Sequence, residues 1–530
     1  MTLAIHPILQ GLAPELVLVV GAALVLLMGL SRSRAAADTV FALSLAAIAI
    51  AIYSAFRLVG SPPHAVAFLT NDSLVWYTRL IALSVGVLIL LTNRHVPESG
   101  ERGEFFCLTL CSLAGILLVS VANDLILLFL ALELVSVPTY ILIGLSRRDV
   151  RAQEATGKYF FLGAFAAALM LYGFSFLYGA AGTTQLFGGS GPQQSIVGAV
   201  TAALRSPDAA GHDLVVVGLL LSLAGLAFKV AAVPMHFYVA DVYQGAASPV
   251  TGLLGFVPKF AGFVALIRIL SLCGWDYGDA IFWLLWVMAA VTMVVGNTLA
   301  LMQNNVKRIL AYSSVAHTGY MLVGLVAGPG SGGAGSAPMR NGVTAMLFYM
   351  AIYGVMNLGA FAALSFFRRS GADGEDSVET LDELAGAARR HPWAGLAMAI
   401  CVLSLMGLPP TGGFIGKLYV FSAAVAAHKG TAHYDPMILL VIIGVLNSAI
   451  AAAYYLRIVS ACYLRKPAEG VRPSGCHALR LSIAACAVIV LAVFVRPSRL
   501  LHQAQAAMAK AQSAPVVVAS DVLPRASQHP

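Results

Sequence analysis

Long apolar runs recur along nearly the whole of this 530-residue chain, and they limit what it can fold into more than any other feature. Each run has about 17 to 25 residues, the length of a helix that crosses a hydrocarbon layer roughly 30 Å thick. Lipid offers the backbone no hydrogen-bond partners, so such a run must form a helix. Hydrophobic residues make up 59% of the chain and charged residues 11%, which is too apolar a balance for a soluble core. We therefore predict an all-α polytopic membrane protein.

The runs predict fourteen transmembrane spans. They cover residues 14–30, 40–59, 74–91, 105–121, 125–145, 159–178, 214–233, 249–270, 280–302, 309–327, 342–367, 396–426, 437–464 and 479–495. Residues 188–213 and 327–341 are predicted to be loops, and 368–392 a charged linker with room for a short surface helix. The polar, Ala-rich tail from residue 496 onward is predicted to be a frayed helix or disordered.

The basic residues indicate how these spans are oriented. Alternate connections between spans hold sixteen Lys and Arg residues in one set and four in the other, with the tail left out. Because cytoplasmic loops carry the excess of basic residues, both termini are predicted to be non-cytoplasmic. We expect a multi-pass membrane protein. The net charge of +8 is thus explained by topology, and no basic face interleaved with aromatic residues suggests nucleic acid.

Nothing in the sequence indicates a redox centre or a metal site. The seven cysteines are scattered, and Cys107 and Cys111, one helical turn apart, have no His or third Cys nearby. The motif GPGSGG at 328–333 matches a dinucleotide fingerprint by letter but lacks the strand that must precede it. The first apolar run has no basic region before it, so we expect a retained helix rather than a signal peptide.

A few ionisable residues interrupt the predicted spans. A charge at the centre of a bilayer costs at least about 2.5 to 3.5 kcal/mol, so such residues are expected to have a function. Near span ends, Arg79, Arg268 and Arg457 are expected to reach water. The remaining five are the candidate site: Glu133, Lys229, Lys259, His317 and Lys417.

Three buried lysines with one carboxylate cannot all be held in fixed ion pairs. Burial lowers the pKa of a lysine and a nearby carboxylate raises it again, so a carboxylate that approaches or retreats makes the lysine a proton switch. Pro234 breaks the seventh span after Lys229, and Pro409 and Pro410 break the twelfth before Lys417. Paired broken helices are typical of a repeated unit whose transport site lies near mid-membrane. An unperturbed imidazole titrates near neutral pH, so a histidine such as His317 is a suitable relay between two lysines.

Glu154 and Lys158 lie four residues apart at the cytoplasmic edge of the sixth span. This spacing places both side chains on one helix face. Two interpretations remain open for them. They form a surface ion pair worth a few tenths of a kcal/mol, or they lie where protons enter.

Three segments carry a specific family resemblance. VPMHFYVADVYQGAASPVTGLLGFVPKFAGF, NVKRILAYSSVAHTGYMLVG and LSLMGLPPTGGFIGKLY closely resemble the signatures of the antiporter-like membrane subunits of proton-pumping NADH:quinone oxidoreductase, respiratory complex I. Lys417 in the twelfth span, the short chain after the fourteenth span and the motif GLPPTGGFIGK resemble the subunit N branch of that family.

The resemblance implies two inverted five-helix repeats with broken helices 7 and 12. It implies an N-terminal three-helix segment at 1–104, repeats at 105–270 and 280–464, and a last helix with a polar tail at 465–530. By matched motif, Glu133 and Lys229 are the Glu–Lys pair, Lys259 and His317 the central relay, and Lys417 the terminal proton-exchanging residue.

The resemblance also implies a set of partners and cofactors. The other membrane and peripheral subunits of complex I are the expected partners, together with the bilayer and protons. Flavin and iron–sulfur clusters are expected in the partner subunits, and this subunit is expected to bind no cofactor. The alternative is a cation/proton antiporter subunit, stand-alone or of the Mrp type, which needs no redox partner.

Overall fold

A computed structural model of the chain describes residues 9–31, 34–58, 64–66, 68–96, 100–188, 195–205, 211–275, 279–329, 338–371, 374–468, 471–473 and 475–509. In chain order the helices are α1 Ala13–Gly29, α2 Arg34–Arg57, α3 Ser73–Asn93, α4 Arg102–Val121, α5 Leu125–Ser146, α6 Val150–Ala181, α7 Ile196–Arg205, α8 His212–Val230, α9 Val239–Gly245, α10 Ser248–Ser271, α11 Asp279–Leu301, α12 Val306–Ala327, α13 Gly342–Phe366, α14 Ala387–Arg390, α15 Pro392–Met406, α16 Gly412–Ala427, α17 Tyr434–Leu464, α18 His477–Val495 and α19 Ser498–Ala509.

The helices confirm the predicted spans. Twelve helices in the described part of the chain have at least 18 residues and are apolar enough to cross a membrane. The 17-residue α1 is the first span, and α15 with α16 forms the twelfth, so each of the fourteen predicted spans has its helix. The seventh span breaks after Val230 and the twelfth after Met406, as the prolines predicted.

Several helices begin at a short polar side chain that accepts a hydrogen bond from a backbone N–H of the first turn. Asp72, Asp124 and Asp149 cap α3, α5 and α6, and Asn305 and Asn341 cap α12 and α13. The first N–H groups of a helix have no partner within it, so such a cap stabilises the helix by about 1 kcal/mol. These residues mark where the chain turns back toward the bilayer.

The core of the bundle is formed by α10, α12 and α13. All residues in the most apolar 18-residue stretch of α10 and of α13 are buried, and 94% of those in the corresponding stretch of α12 are buried. Helix α10 packs against α8 and α13, and α12 packs against α11, α13 and α16. Polar side chains on these core helices therefore face other helices and not lipid.

Two small sheets lie outside the bundle. Strands β1 (His64–Val66) and β2 (Leu69–Asn71) form a hairpin. Strand β3 (Phe367–Gly371) pairs with β4 (Gly374–Ser377) on one side and with β5 (Val471–Pro473) on the other, all antiparallel. The predicted linker at 368–392 thus contains two strands as well as the short helix α14.

Two segments are more ordered than the sequence predicted. The expected loop at 188–213 contains helix α7, which buries Ile196, Val200 and Ala203 on one face. The tail was expected to be frayed or disordered, but residues 498–509 form α19, which packs on α3 and α13 and buries Ala504 and Met508. In both, apolar residues recur at helical spacing, so burial of one face stabilises the helix. Residues 510–530 lie outside the described part.

The expectation that Arg79 and Arg268 reach water is wrong. Arg79 is 2% exposed and donates from Nε to Glu15 Oε1 at 2.8 Å and from Nη2 to Glu15 Oε2 at 2.9 Å. Arg268 is 4% exposed and donates to Asp72 Oδ2 at 2.6 Å and Oδ1 at 3.1 Å. A bidentate carboxylate compensates a buried guanidinium, so these arginines need no water. Arg457, near a helix end, donates to Leu301 O and Asn304 Oδ1.

Candidate functional site

Glu133 on α5 and Lys229 on α8 form an ion pair inside the bundle. Lys229 Nζ donates to Glu133 Oε1 at 2.8 Å and to Ser136 Oγ at 2.6 Å. Ser136 lies one turn after Glu133, so both acceptors are on the same face of α5. The Lys229 side chain is 4% exposed, whereas that of Glu133 is 23% exposed. The lysine end of the pair is therefore buried, and the carboxylate end is partly exposed at the surface of the chain.

The break in the seventh span follows Lys229 directly. Helix α8 ends at Val230, Ala231 adopts a left-handed conformation (φ 60°), and the helical chain resumes at Val239. The broken segment is held by hydroxyl groups from two other helices. Thr318 Oγ1 on α12 donates to Val230 O at 2.7 Å, and Val233 N donates to Thr292 Oγ1 on α11 at 3.0 Å. Side chains thus satisfy backbone groups that a continuous helix would have paired.

Lys259 lies on α10 and is 2% exposed. Its Nζ donates to Ser314 O at 2.5 Å, to Ser314 Oγ at 3.1 Å and to Thr318 Oγ1 at 3.1 Å. All three acceptors are neutral oxygens on α12. Because Thr318 also donates to Val230 O, one hydroxyl connects Lys259 with the residue that follows Lys229.

Close packing brings these two lysines together. A Cβ atom placed on Gly262 of α10 would lie 2.8 Å from Val230 Cγ1 and 3.1 Å from Lys229 Cβ. Such distances are too short for a side chain, so glycine at this position allows α10 to approach α8 at Lys229.

His317 lies on α12, 1% exposed, between two tyrosine hydroxyls. Its Nδ1 is 2.6 Å from Tyr349 Oη on α13, and its Nε2 is 3.0 Å from Tyr455 Oη on α17. Tyr455 also hydrogen-bonds Ser313. A hydroxyl both donates and accepts, so Tyr349 can pair with Nδ1 and Tyr455 with Nε2 whether or not that nitrogen carries a proton.

Lys417 lies on α16, beside the second break, and is 5% exposed. Its Nζ donates to Met406 O at 2.9 Å, the last residue of α15, and lies 4.7 Å from the centre of the Tyr320 ring. Tyr320 is one turn after His317 on α12, and the two ring centres are 5.8 Å apart. A cation above an aromatic face is attracted by the ring, so Tyr320 is the direct neighbour that Lys417 shares with His317.

The five predicted residues therefore form a row across the bundle, but not a continuous hydrogen-bonded chain. Glu133 contacts Lys229, and Thr318 joins the Lys229 region to Lys259. Among the described residues, no hydrogen bond links Lys259 to His317 or His317 to Lys417. The Tyr353 ring fills the first gap, 5.8 Å from Lys259 Nζ and 5.1 Å from the His317 ring.

Several residues of this row were not identified from the sequence: Ser136, Thr318, Tyr320, Tyr349, Tyr353 and Tyr455. One signal was available. Tyr349, Tyr353 and Asn357 are spaced four residues apart on the otherwise apolar α13, which puts three polar groups on one face. Tyr455 carries no such signal, because its partners come from α12.

Glu154 and Lys158 form an exposed ion pair, with 2.7 Å between Lys158 Nζ and Glu154 Oε1. The Glu154 side chain is 59% exposed and that of Lys158 is 42% exposed. The sequence did not indicate that Asp241 on α9 joins them. Its Oδ2 accepts from Lys158 at 2.9 Å, and its Oδ1 accepts from Arg308 at 2.8 Å. Glu154, Lys158 and Asp241 line an open cavity of about 250 Å³. The cavity borders the second half of the broken span.

No group of three or more His, Cys, Asp or Glu side chains within the described residues could hold a metal ion. Glu15 and Asp72 are buried carboxylates that the sequence did not reveal, and both pair with arginine. Of the three buried lysines of the row, Lys229 alone has a carboxylate partner in the described part of the chain.

Comparison with known proteins decides the family. The sequence pattern described as "NADH:quinone oxidoreductase/Mrp antiporter, TM" matches residues 122–450, more than half of the chain. NADH-quinone oxidoreductase subunit N of Myxococcus xanthus is 37% identical over 511 residues, covering 92% of this chain and 95% of that protein. This chain belongs to the subunit N family of NADH-quinone oxidoreductase. Subunit N of Trichlorobacter lovleyi is 38% identical over 400 residues, 74% of each chain.

Solved structures agree with membership of the subunit N family. A chain of respiratory complex I from Thermus thermophilus with bound aureothin is 32% identical, has a TM-score of 0.73, and matches over 92% of this chain and 98% of its own length. A chain of the Mrp complex from Dietzia sp. DQ12-45-1b has a TM-score of 0.76 at 21% identity, covering 94% of this chain and 97% of that one. At that identity the likeness shows a shared fold.

Proposed function

We propose that this chain is a proton-translocating membrane subunit of complex I, and that Glu133, Lys229, Lys259, His317 and Lys417 carry the protons. The observation that supports this most directly is the surroundings of Lys259. It is 2% exposed, and its three acceptors are neutral oxygens of α12. A lysine with no fixed counter-charge can exist as ammonium or amine, so it can accept and release a proton.

The proposed sequence of events starts at the partly exposed carboxylate. A change in a neighbouring subunit moves Glu133 away from Lys229, and the ammonium group of Lys229 then lacks its counter-charge. Its proton leaves toward Lys259, which accepts it as a neutral amine. The Thr318 hydroxyl contacts Lys259 Nζ and the backbone oxygen of Val230, the residue after Lys229. Transfer continues past Tyr353 to His317 and past Tyr320 to Lys417, which exchanges the proton at the second break.

The remaining assignments follow from the same proposal. Flavin and iron–sulfur clusters belong to the partner subunits, which supply the redox energy. The positive loops orient the chain in the bacterial inner membrane with both termini non-cytoplasmic. Protons enter near Glu154 and Lys158, whose open cavity with Asp241 borders the broken span.

Replacing Lys229 by arginine tests the proton switch. Arginine keeps the charge pair with Glu133 but does not lose its proton in a protein, so Lys229→Arg is expected to assemble and to pump poorly. The double variant Glu133→Gln with Lys229→Met removes both charges and is expected to assemble without pumping. Lys429→Arg makes the same change at an exposed position and serves as the control.

The measurement is NADH-driven proton uptake into vesicles, normalised to the amount of assembled complex. Wild-type pumping by Lys229→Arg would show that Lys229 is a structural partner of Glu133. Purification distinguishes this function from that of a cation/proton antiporter. A chain that is active when purified alone, without flavin or iron–sulfur subunits, is an independent antiporter.

A further inference from the structure

Asn297 on α11 lies at the centre of a buried polar cluster where α11, α12 and α17 meet. Its Nδ2 donates to Tyr320 Oη at 3.2 Å and to Asn447 Oδ1 at 3.2 Å, and its Oδ1 accepts from Tyr454 Oη at 2.9 Å. All four side chains are buried. They are called the amide cluster below, and Tyr320 is the member that contacts Lys417.

The Tyr320 ring is fixed by contacts at its hydroxyl and around its ring. The hydroxyl meets Asn297, and the ring packs edge-on against Phe421, with 6.1 Å between the ring centres and 85° between the planes. Phe421 is one turn after Lys417 on α16, so this helix contacts the ring twice. A Cβ atom on Gly444 of α17 would lie 2.6 Å from Phe421 Cε1, so glycine is needed there to admit the Phe421 ring.

The orientation of this ring matters for Lys417. The face of an aromatic ring is electron-rich and its edge is electron-poor, so a cation is attracted over the face and not at the edge. Lys417 Nζ lies 4.7 Å from the ring centre and donates to one carbonyl, Met406 O. The ring therefore adds an attraction that acts on the ammonium form of Lys417 and not on its amine.

A purely structural role is the simplest alternative for the amide cluster, because asparagine side chains often join membrane helices by hydrogen bonds. The position of the cluster favours a role in the relay. Its Tyr454 ring lies 4.4 Å, centre to centre, from that of Tyr455, whose hydroxyl pairs with His317 Nε2 at 3.0 Å. The cluster thus contacts both sides of the step from His317 to Lys417, for which the described residues show no direct hydrogen bond.

We propose that Tyr320 is a further functional residue of the row, whose ring face stabilises the ammonium form of Lys417, and that Asn297 is the positioning residue that holds this ring in place. The inference rests on the proposed relay. A proton that leaves His317 converts the amine of Lys417 to ammonium, and the ring holds that charge until the proton is exchanged at the second break. Asn297 acts through Tyr320 and contacts neither His317 nor Lys417 by hydrogen bond within the described residues.

A double-variant cycle measured by SDS unfolding of the full chain tests the contact without relying on proton transport. Tyr320→Leu removes the ring, Lys417→Met removes the charge, and a mildly acidic buffer favours the ammonium form. A desolvated cation–π contact changes an equilibrium constant by about five- to thirtyfold. We therefore expect Tyr320→Leu to raise the unfolding equilibrium constant at least about fivefold more in the wild-type background than in Lys417→Met. Equal effects in the two backgrounds would overturn the proposal.

NADH-driven proton uptake, normalised to assembled complex, tests the positioning role of Asn297. Asn297→Leu and Tyr320→Phe each break the hydrogen bond between these residues, so each is expected to lose part of the uptake and the combined variant no more than either. Tyr320→Leu also removes the ring and is expected to lose most of the uptake. Asn93→Leu, the same change at a fully buried asparagine at the end of α3, is the control and should keep it.

The outcomes separate this role from the relay itself. Additive losses in the combined variant, or equal uptake in Asn297→Leu and Asn93→Leu, would make Asn297 a structural residue. Tyr320→Phe breaks the same hydrogen bond from the other side, so the test stands even if Asn297→Leu assembles poorly. Normal uptake by assembled Lys417→Met would refute the relay through Lys417. Loss in Lys417→Met with wild-type uptake in Tyr320→Leu would refute the role of Tyr320 alone.

Discussion

Glu379 in the linker connects three parts of the molecule through one carboxylate. Its Oε1 lies 2.9 Å from Lys307 Nζ and 2.7 Å from Arg147 Nη1. Lys307 is fully buried at the start of α12 and also donates to Gln244 O at 2.8 Å and Ala246 O at 3.0 Å. These two carbonyls belong to the second half of the broken seventh span. We predict that Glu379→Gln destabilises the chain by loosening this junction.

The structure sets the size of the effect. Removing one partner from a buried ion pair costs about 3 to 5 kcal/mol, because the other charge stays buried. The remaining carbonyl acceptors of Lys307 and the 13% exposure of Glu379 reduce this, so we expect about 2 to 3 kcal/mol. Adding Lys307→Met to Glu379→Gln removes the stranded charge and is expected to restore at least half of that loss.

The sign of the pH dependence follows from the pKa of Glu379. Burial raises this pKa, but the charges of Lys307 and Arg147 outweigh burial and hold it below the ordinary value. The carboxylate therefore contributes its full stabilisation above the pKa of an unfolded glutamate, about 4.3, and loses it as pH falls through the lower folded value. The stability gap between wild type and Glu379→Gln should therefore close as the pH falls into the acid range.

The assay is unfolding of the full chain by SDS in mixed micelles, from which the free energy of unfolding is obtained at each pH. Asp382→Asn is the matched control, because it makes the same acid-to-amide change three residues away at a side chain that is 90% exposed and paired with Arg465. A surface pair of this kind contributes at most about 1 kcal/mol. This role of Glu379 is refuted if Glu379→Gln lowers the free energy of unfolding no more than Asp382→Asn does. It is also refuted if the double variant is no more stable than Glu379→Gln alone.

Three further outcomes are expected. Lys259→Ala should assemble but lose most NADH-driven proton uptake, since no other titratable group lies within a helical turn of Lys259 on α10; near-normal uptake would make this lysine structural. Gly262→Ala should lower stability and pumping by forcing α10 away from Lys229. Gly157→Ala places a methyl group in open space on a helix and should lower neither; SDS unfolding and vesicle uptake measure both. A reporter after Pro530 should be non-cytoplasmic and one inserted near Asp373 cytoplasmic, and finding them on the same side would refute the predicted orientation.

The sequence was most informative where one segment alone decides the structure. A run of apolar residues needs a helix in lipid whatever lies beside it, so every predicted span is present. Proline likewise acts locally, and both breaks lie where Pro234 and the Pro409–Pro410 pair indicated. Helix α7 was not foreseen, and α19 was expected at most as a frayed helix, because each is short and amphipathic and its stability depends on a surface that other helices provide.

The site was predictable residue by residue, but its contacts were not. The cost of a buried charge identifies Lys229, Lys259 and Lys417 without knowledge of their partners. Tyr455 is different, since tyrosine is unremarkable in a membrane helix and becomes significant through its hydrogen bonds to His317 and Ser313. The ion pair of Arg79 could not be predicted for the same reason, because its partner Glu15 is 64 residues away in the sequence.

The buried arginines and the lysines of the row differ in their partners. Arg79 and Arg268 each meet a buried carboxylate in bidentate geometry, and arginine does not lose its proton, so these pairs are permanent connections between helices. Lys259 and Lys417 meet neutral oxygens, which tolerate either the ammonium or the amine. Lys229 lies between these cases, because it has a carboxylate partner and that carboxylate is partly exposed. In the proposed relay, Glu133 therefore supplies the adjustable charge at the edge of the row, and its displacement alters the charge of Lys229 before that of the lysines behind it.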